Sequence, residues 1–297
     1  MFLNKKVVVV TPAGRRQSLK ILAKYILPNS MVDEWHLWLN TKNNNDKGYI
    51  ESLSHPKIKI IQKPGTNGHW NSIHKFFPDC IEENTVYVRM DDDIVWMEYY
   101  SLQKLIEFRI KNPEFFLVYG NIVNNSVCDY IHQNYQKVIE TSEFLGFDWS
   151  DHNGIICPNV AIKKHMNLLE HIYNNTIEKY YFHNHWTMPL NSRFSINVIS
   201  WLGERFAEFG GKVGADEEQW LSVTKPTELN RLNIICGTTL FSHYSFNLQR
   251  YRLNQTNILQ LYDDLANGIL NLPDFDWSSL SCDCDFKELN KIFKLQY

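Results

Sequence analysis

The chain has 297 residues, with 44% hydrophobic and 14% aromatic side chains and a formal net charge of -3. That composition can bury a full core, which excludes an intrinsically disordered chain. The slight negative balance, without a basic stripe, argues against a nucleic-acid binder.

Residues 6–11 form a continuous β-branched run, the pattern of a strand buried on both faces. Pro12-Ala13-Gly14 turns the chain. Residues 17–26 place Leu19, Ile21, Leu22, Ala23 and Ile26 at helical spacing, and Pro28 ends that helix. Residues 34–39 read as a second strand. A loop at Asn43-Asn44-Asn45 and a short helix through Ile50 and Leu53 follow. Residues 57–61 alternate as a third strand, closed by the turn Pro64-Gly65. Residues 69–77 form a short helix that Pro78 stops. Residues 85–90 are a fourth strand, 97–110 a helix and 115–119 another strand. This alternation predicts an α/β fold with a mostly parallel central sheet flanked by helices.

The second half is less regular. Residues 155–162 read as a strand interrupted by Pro158, and 163–178 as a helix. Residues 180–201 are aromatic and irregular. A glycine-rich loop over 209–214 leads into 215–221, a helix start with acids in its first turn. Two short strands, 233–236 and 239–241, flank Gly237. Helices are expected over 256–272 and 284–295. The expected organisation is a catalytic domain over 1–250, with a donor half over about 1–120 and an acceptor half over about 121–250. A helical extension follows over 251–297.

No window is long and apolar enough to span a bilayer, and the run before Pro12 is too short for a signal sequence. The six cysteines, Cys80, Cys128, Cys157, Cys236, Cys282 and Cys284, follow neither a disulfide framework nor a zinc spacing. Reduced thiols in a cytoplasmic protein are expected.

Asp91-Asp92-Asp93 ends the fourth strand, between apolar flanks. Three adjacent carboxylates repel one another and are costly to bury without a cation or hydrogen-bond donors. A strand that carries them to its C-terminal end puts them where open α/β sheets bind ligands. Hard oxygen donors there suit Mg²⁺ or Mn²⁺ bridging phosphates. The plain alternative is a solvated acidic turn, which the flanks disfavour.

The order of these parts over residues 5–245 resembles that of the GT-A glycosyltransferases, in particular the family-2-like enzymes with nucleotide-sugar donors. Thr11-Pro12-Ala13-Gly14-Arg15 looks like the opening nucleotide-binding loop, so the resemblance implies donor contacts at Thr11, Pro12, Ala13 and Arg15. Asn40 stands where many members place an acid against the base. Asn67-Gly68-His69-Trp70-Asn71 is similar to the helix start beneath the donor. Asp91-Asp92-Asp93 matches the DxD motif, implying a cation on Asp91 and Asp93 and donor contacts from Asp91 and Asp92. Ala215-Asp216-Glu217 resembles the acidic motif carrying the catalytic base, with Glu217 the best-fitting position and Asp216 its neighbour. His243 falls where many members keep a third metal ligand.

The resemblance implies a glycosyltransferase using Mn²⁺ or Mg²⁺. It would move a sugar from a nucleoside-diphosphate donor, UDP favoured, to a hydroxyl on a glycan or other acceptor; inversion is expected if the acidic pair serves as the base, and a retaining enzyme of similar fold is the alternative. The cation acts as a Lewis acid on the departing diphosphate, and a carboxylate takes the acceptor proton. The simpler reading of Asp216, Glu217 and Glu218 is a helix N-terminus that favours acids. The aromatic and polar mixtures over 147–154 and 180–186 suit a sugar pocket, or an aromatic core beneath long loops. His183-x-His185 lacks the further ligands of a zinc site. A nucleotidyltransferase is the alternative enzyme class, although the first turn has only one glycine. A non-catalytic carbohydrate-binding relative is the alternative without chemistry.

Overall fold

A computed structural model of the chain describes residues 1–139, 141, 143–148, 150 and 152–272, with the backbone alone at 152 and 153. The first elements are β1 (Lys6–Ala13), α1 (Arg16–Ile26), β2 (Glu34–Leu39), α2 (Asn44–Ser52), β3 (Ile58–Ile61) and a 3-10 helix (Trp70–Asp79). Then come β4 (Thr85–Met90), β5 (Ile94–Met97), α3 (Ser101–Lys111), β6 (Val118–Val123), α4 (Ser126–Asn134) and α5 (Pro158–Tyr173). The chain continues through β7 (Trp186–Met188), β8 (Val198–Leu202), α6 (Gly203–Ala207), α7 (Glu217–Gln219) and α8 (Lys225–Leu229). A π-helical turn, Trp220–Thr224, joins α7 to α8. The last described elements are β9 (Asn233–His243), α9 (Asn247–Leu253) and α10 (Ile258–Ala266). The helix expected over 284–295 lies outside the described residues. Among the described residues no helix is long and apolar enough to cross a membrane.

The fold is α/β, with one nine-stranded mixed sheet in the order β3-β2-β1-β4-β8-β6-β9-β5 and β7 paired to β9. Its parallel half, β3-β2-β1-β4, is the part that the opening alternation of strands and helices predicts. Beyond β4 the sheet turns antiparallel, because β8 inserts between β4 and β6 and runs against both. β8 is the strand hidden in the aromatic stretch 180–201. All five of its residues are buried, so it shows no alternation of polar and apolar residues.

Two units divide the chain: Met1–Asn121 with Phe182–Phe241, and Ile122–Tyr181 with the described residues from Ser242. The first contains most of the sheet. Its core is aromatic: Trp38 stacks on Phe76 at 5.2 Å, and Trp201 stacks on Phe206 at 4.8 Å and on Tyr87 at 5.5 Å. Such offset ring pairs add to the area they bury. β1 is buried along nearly its whole length, as its valine run requires.

The second unit is helical, with α5 against α9 and α10. Its centre is polar. Lys164 and Asp129 pair at 2.6 Å with neither side chain exposed. His165 bonds the Tyr244 carbonyl at 2.7 Å and the Tyr262 hydroxyl at 2.9 Å.

Three local readings need correction. Pro158 does not interrupt a strand over 155–162. It opens α5 at the first helical turn, where a missing N–H costs nothing. Gly237 does not separate two strands. β9 runs through it, and the glycine is required because a Cβ there would meet the Phe182 carbonyl oxygen at 2.1 Å. Cys80, Cys128 and Cys236 are buried free thiols, but Cys157 is disulfide-bonded, so the reading of all six as reduced fails there.

Candidate active site

β4 leaves the sheet at Met90, passes the three aspartates and re-enters it as β5 at the far edge. The apolar residues after the triad, Ile94 to Met97, are therefore a buried strand rather than a loop. The triad is caught between two sheet strands, and its three side chains have different partners.

Asp92 is almost fully buried and turns toward the end of β1. One of its oxygens accepts the backbone N–H groups of Gly14 and Arg15, each at 2.7 Å. The guanidinium of Arg15 also pairs with it. Burial pushes the Asp92 carboxyl up, against the opposing pull of Arg15, and the neighbouring Asp93 adds to the rise. Asp93 is equally buried. Arg15 reaches both of its oxygens, with Nη1 at 2.8 Å and Nη2 at 3.2 Å. A two-pronged guanidinium is well matched to a carboxylate.

Asp91 is half-buried and turns the other way. Its backbone N–H donates to the Asn197 carbonyl at 2.9 Å, and the Asn197 amide donates to its Oδ2 at 2.9 Å. Its Oδ1 pairs with Arg89 Nη2 at 2.9 Å. The same Arg89 nitrogen donates to Glu217 Oε1, also at 2.9 Å. Arg89 is buried in β4, and its Nη1 donates to the Ile196 carbonyl.

Glu217 begins α7 and is only 6% exposed. Its second oxygen, Oε2, is buried without a hydrogen-bond partner. Burial pushes its carboxyl up to about 7, although Arg89 pulls the other way. Asp216 is the N-cap of α7 and accepts the Gln219 N–H at 3.1 Å. Arg193 grips Asp216 at 3.0 and 3.2 Å and Glu218 at 2.9 Å. Asp216 therefore has a capping role, while Glu217 turns inward.

The remaining candidates divide by contact. The Thr11 hydroxyl accepts the indole N–H of Trp35 at 3.0 Å within the core. Pro12 and Ala13 are buried in β1, in register with Trp38 and Leu39 of β2. Asn40 holds the loop after β3. Its amide donates to the His69 carbonyl at 3.0 Å, and its oxygen accepts the Gly68 N–H and the Ser72 hydroxyl, both at 2.9 Å. Asn67 accepts the His69 N–H at 3.0 Å in the same loop. The structure thus joins Asn40 to the segment around Asn67, and Arg15 to Asp92 and Asp93.

In the second unit, His243 ends β9. Its Nδ1 lies 3.1 Å from the Asn124 carbonyl, which fixes the ring plane. Arg250 is turned onto Ser245, at 3.0 Å from its hydroxyl. In the first unit, His185 Nδ1 accepts the Gly237 N–H at 3.1 Å, a structural use of that histidine. Gly210 and Gly211 take positive φ to close the end of α6, their N–H groups donating to Ala207 and Phe206. In the segment 147–154, Trp149 and Asp151 lie outside the described residues.

Sequence reasoning missed Arg193 and Asn197. Neither belongs to a motif, and the partners that matter here, Asp216 and Glu218 for Arg193 and Asp91 for Asn197, are distant along the chain. An arginine in an otherwise apolar strand was the visible signal for Arg89, since a buried guanidinium needs carboxylate partners.

No protein-family model matches the chain, and no curated protein matches it. Several solved structures share part of its architecture. CMP:2-keto-3-deoxy-manno-octonic acid synthetase complexed with CTP is 9% identical over 89% of this chain and 100% of its own, with a TM-score of 0.47. Glucosyl-3-phosphoglycerate synthase from Mycobacterium tuberculosis, in complex with Mn²⁺, UDP-glucose and phosphoglyceric acid, is 11% identical over 90% of this chain and 81% of its own, with a TM-score of 0.45. 4-Diphosphocytidyl-2C-methyl-D-erythritol synthase is 12% identical over 40% of this chain, with a TM-score of 0.32, and this chain spans 59% of its length.

Proposed function

We propose that the chain is a divalent-cation-dependent glycosyltransferase, moving a sugar from a nucleoside-diphosphate donor to a hydroxyl acceptor with inversion. UDP is the favoured nucleotide, by analogy with the glycosyltransferases that the sequence resembles. The observation that carries the reading is Glu217. One of its oxygens is fixed by Arg89, and the other is buried with no hydrogen-bond partner. A buried carboxylate oxygen in that state suits a donor that arrives with substrate, and an acceptor hydroxyl is such a donor. A carboxyl pushed up to about 7 is matched to taking a proton near neutral pH.

The donor set fits a hard cation. Asp91 and Asp93 would hold it through carboxylate oxygens that Arg89, Asn197 and Arg15 already contact, so the ion competes with those donors, and His243 is the imidazole that the motif order assigns to the same ion. When bound, the ion supplies Lewis-acid stabilisation of the departing diphosphate. The protein's own steps are these. Asp92 holds the turn after β1 closed through two backbone N–H groups, and so sets the course of the triad. Arg89 holds Asp91 and Glu217 to one guanidinium nitrogen. Glu217 receives the acceptor proton on Oε2 as the hydroxyl oxygen attacks the anomeric carbon and the bond to the diphosphate breaks.

A thermal-shift screen of UDP, GDP, CMP and dTDP, each with and without Mn²⁺, tests this reading. A ligand that binds only the folded state raises apparent stability by about 2.7 kcal/mol at a hundredfold excess over Kd. The expected result is a Mn²⁺-dependent shift with UDP. No shift with any of them would move the assignment to a nucleotidyltransferase that takes nucleoside triphosphates, or to a non-catalytic binder.

A further inference from the structure

Arg89 is a full charge inside a sheet. It comes from β4, between Val88 and Met90, and is 4% exposed. A lone buried guanidinium is expensive, and its fork must be satisfied by acceptors in fixed directions. Here Nη1 is spent on the Ile196 carbonyl, which anchors the fork to the chain entering β8. Nη2 is shared between Asp91 Oδ1 and Glu217 Oε1, at 2.9 Å to each. Two carboxylates that would repel each other are thereby held to one nitrogen. The residues so joined are 89, 91 and 217, on β4, the triad loop and α7.

We propose that Arg89 is the positioning residue of the site, fixing the separation between the cation-holding carboxylate of Asp91 and the proton-accepting carboxylate of Glu217. This rests on the glycosyltransferase reading for the roles of the two carboxylates. It goes beyond that reading in assigning their mutual placement to one side chain. In this assignment Arg89 is given no contact of its own with substrate or cation. It acts by orienting two groups that make such contacts, as hydrogen-bonded partners behind metal ligands and catalytic bases generally do. The device depends on fork geometry. A lysine keeps the charge but presents its donors from a single flexible ammonium, so it cannot hold Ile196, Asp91 and Glu217 together.

The test compares Arg89→Lys and Arg89→Gln with the wild-type protein, each checked for folding by circular dichroism. Two readouts are needed: kcat and KM for transfer from UDP-sugar at saturating Mn²⁺, and the affinity of the protein for Mn²⁺ alone, from the electron spin resonance signal of the free ion. The expected result for the lysine variant is a fall in kcat of about 10²-fold, the scale of a misplacement of about 1 Å. Its donor KM should stay within about twofold, and its Mn²⁺ affinity should weaken by about tenfold. The glutamine variant should show the same loss of kcat. A folded lysine variant with wild-type kcat and Mn²⁺ affinity would overturn the proposal. So would failure of both variants to fold, because Arg89 would then be a structural pin. If the wild-type protein transfers no sugar from any donor, the glycosyltransferase reading fails. The Mn²⁺ measurement then still decides whether Arg89 sets the geometry of the aspartates.

Discussion

Arg15 chelates Asp93: two nitrogens of its guanidinium meet the two oxygens of the carboxylate, at 2.8 and 3.2 Å. The organic cation therefore sits on a carboxylate assigned here to a divalent ion. The two compete for the same oxygens. Arg15→Gln is expected to tighten the binding of Mn²⁺ in the absence of nucleotide by several-fold, since one competing charge is gone. Titration of the free-ion spin resonance signal measures it. Unchanged or weaker binding would remove Asp93 from the ligand set.

Asp93→Ala is expected to abolish the Mn²⁺-dependent part of nucleotide binding while the fold survives. Arg15, whose side chain is 35% exposed, keeps Asp92 as a partner in that variant, so its guanidinium is not left alone. Isothermal titration with UDP, with and without Mn²⁺, reads the effect. Transfer at near the wild-type rate in this variant would mean that the triad is not the cation site.

Glu217→Gln keeps an oxygen for Arg89 but cannot accept a proton. Donor binding should be spared and kcat should fall by roughly 10²- to 10⁴-fold. In the wild-type protein kcat/KM should rise with pH through about 7, as the carboxyl loses its proton. Stability should move the other way. The folded-state pKa is raised, so the folded protein holds this proton more tightly than the unfolded chain. That contribution is fully present below the ordinary carboxyl range and is lost as pH rises through about 7. Urea midpoints measured between pH 5 and pH 8 should fall less steeply in the glutamine variant.

Lys164→Met tests the polar centre of the second unit. It leaves Asp129 buried without its cation, and burial already pushes that carboxyl up. A loss of about 3–5 kcal/mol is expected near neutral pH. Protonation of Asp129 relieves the penalty, so the deficit should shrink as pH falls. Chemical denaturation at two pH values decides it. A deficit independent of pH would mean that lost packing, rather than an unpaired charge, is the cause.

Much of the first half was legible in the sequence because its signals are local. The valine run of β1, the proline stops and the alternation in β3 each depend on neighbours within a few residues. The acidic triad was legible for the same reason, since three adjacent carboxylates at a strand end constrain their surroundings whatever the fold. β8 was not legible. A strand buried on both faces has no alternation, and its place between β4 and β6 is a matter of register rather than composition.

The sequence by itself determined that the chain has a full core, a parallel half-sheet and carboxylates delivered to the end of β4. Local periodicity and charge repulsion suffice for those. Only the tertiary structure decided what each carboxylate meets. It gave Asp92 to the turn after β1, Asp93 to Arg15, and Asp91 with Glu217 to Arg89. Arg89 and Glu217 stand 128 positions apart in the chain. No local preference can specify such a pairing. It exists because the sheet brings β4 and β8 into register and anchors the fork of Arg89 on Ile196, so that two acids share its Nη2.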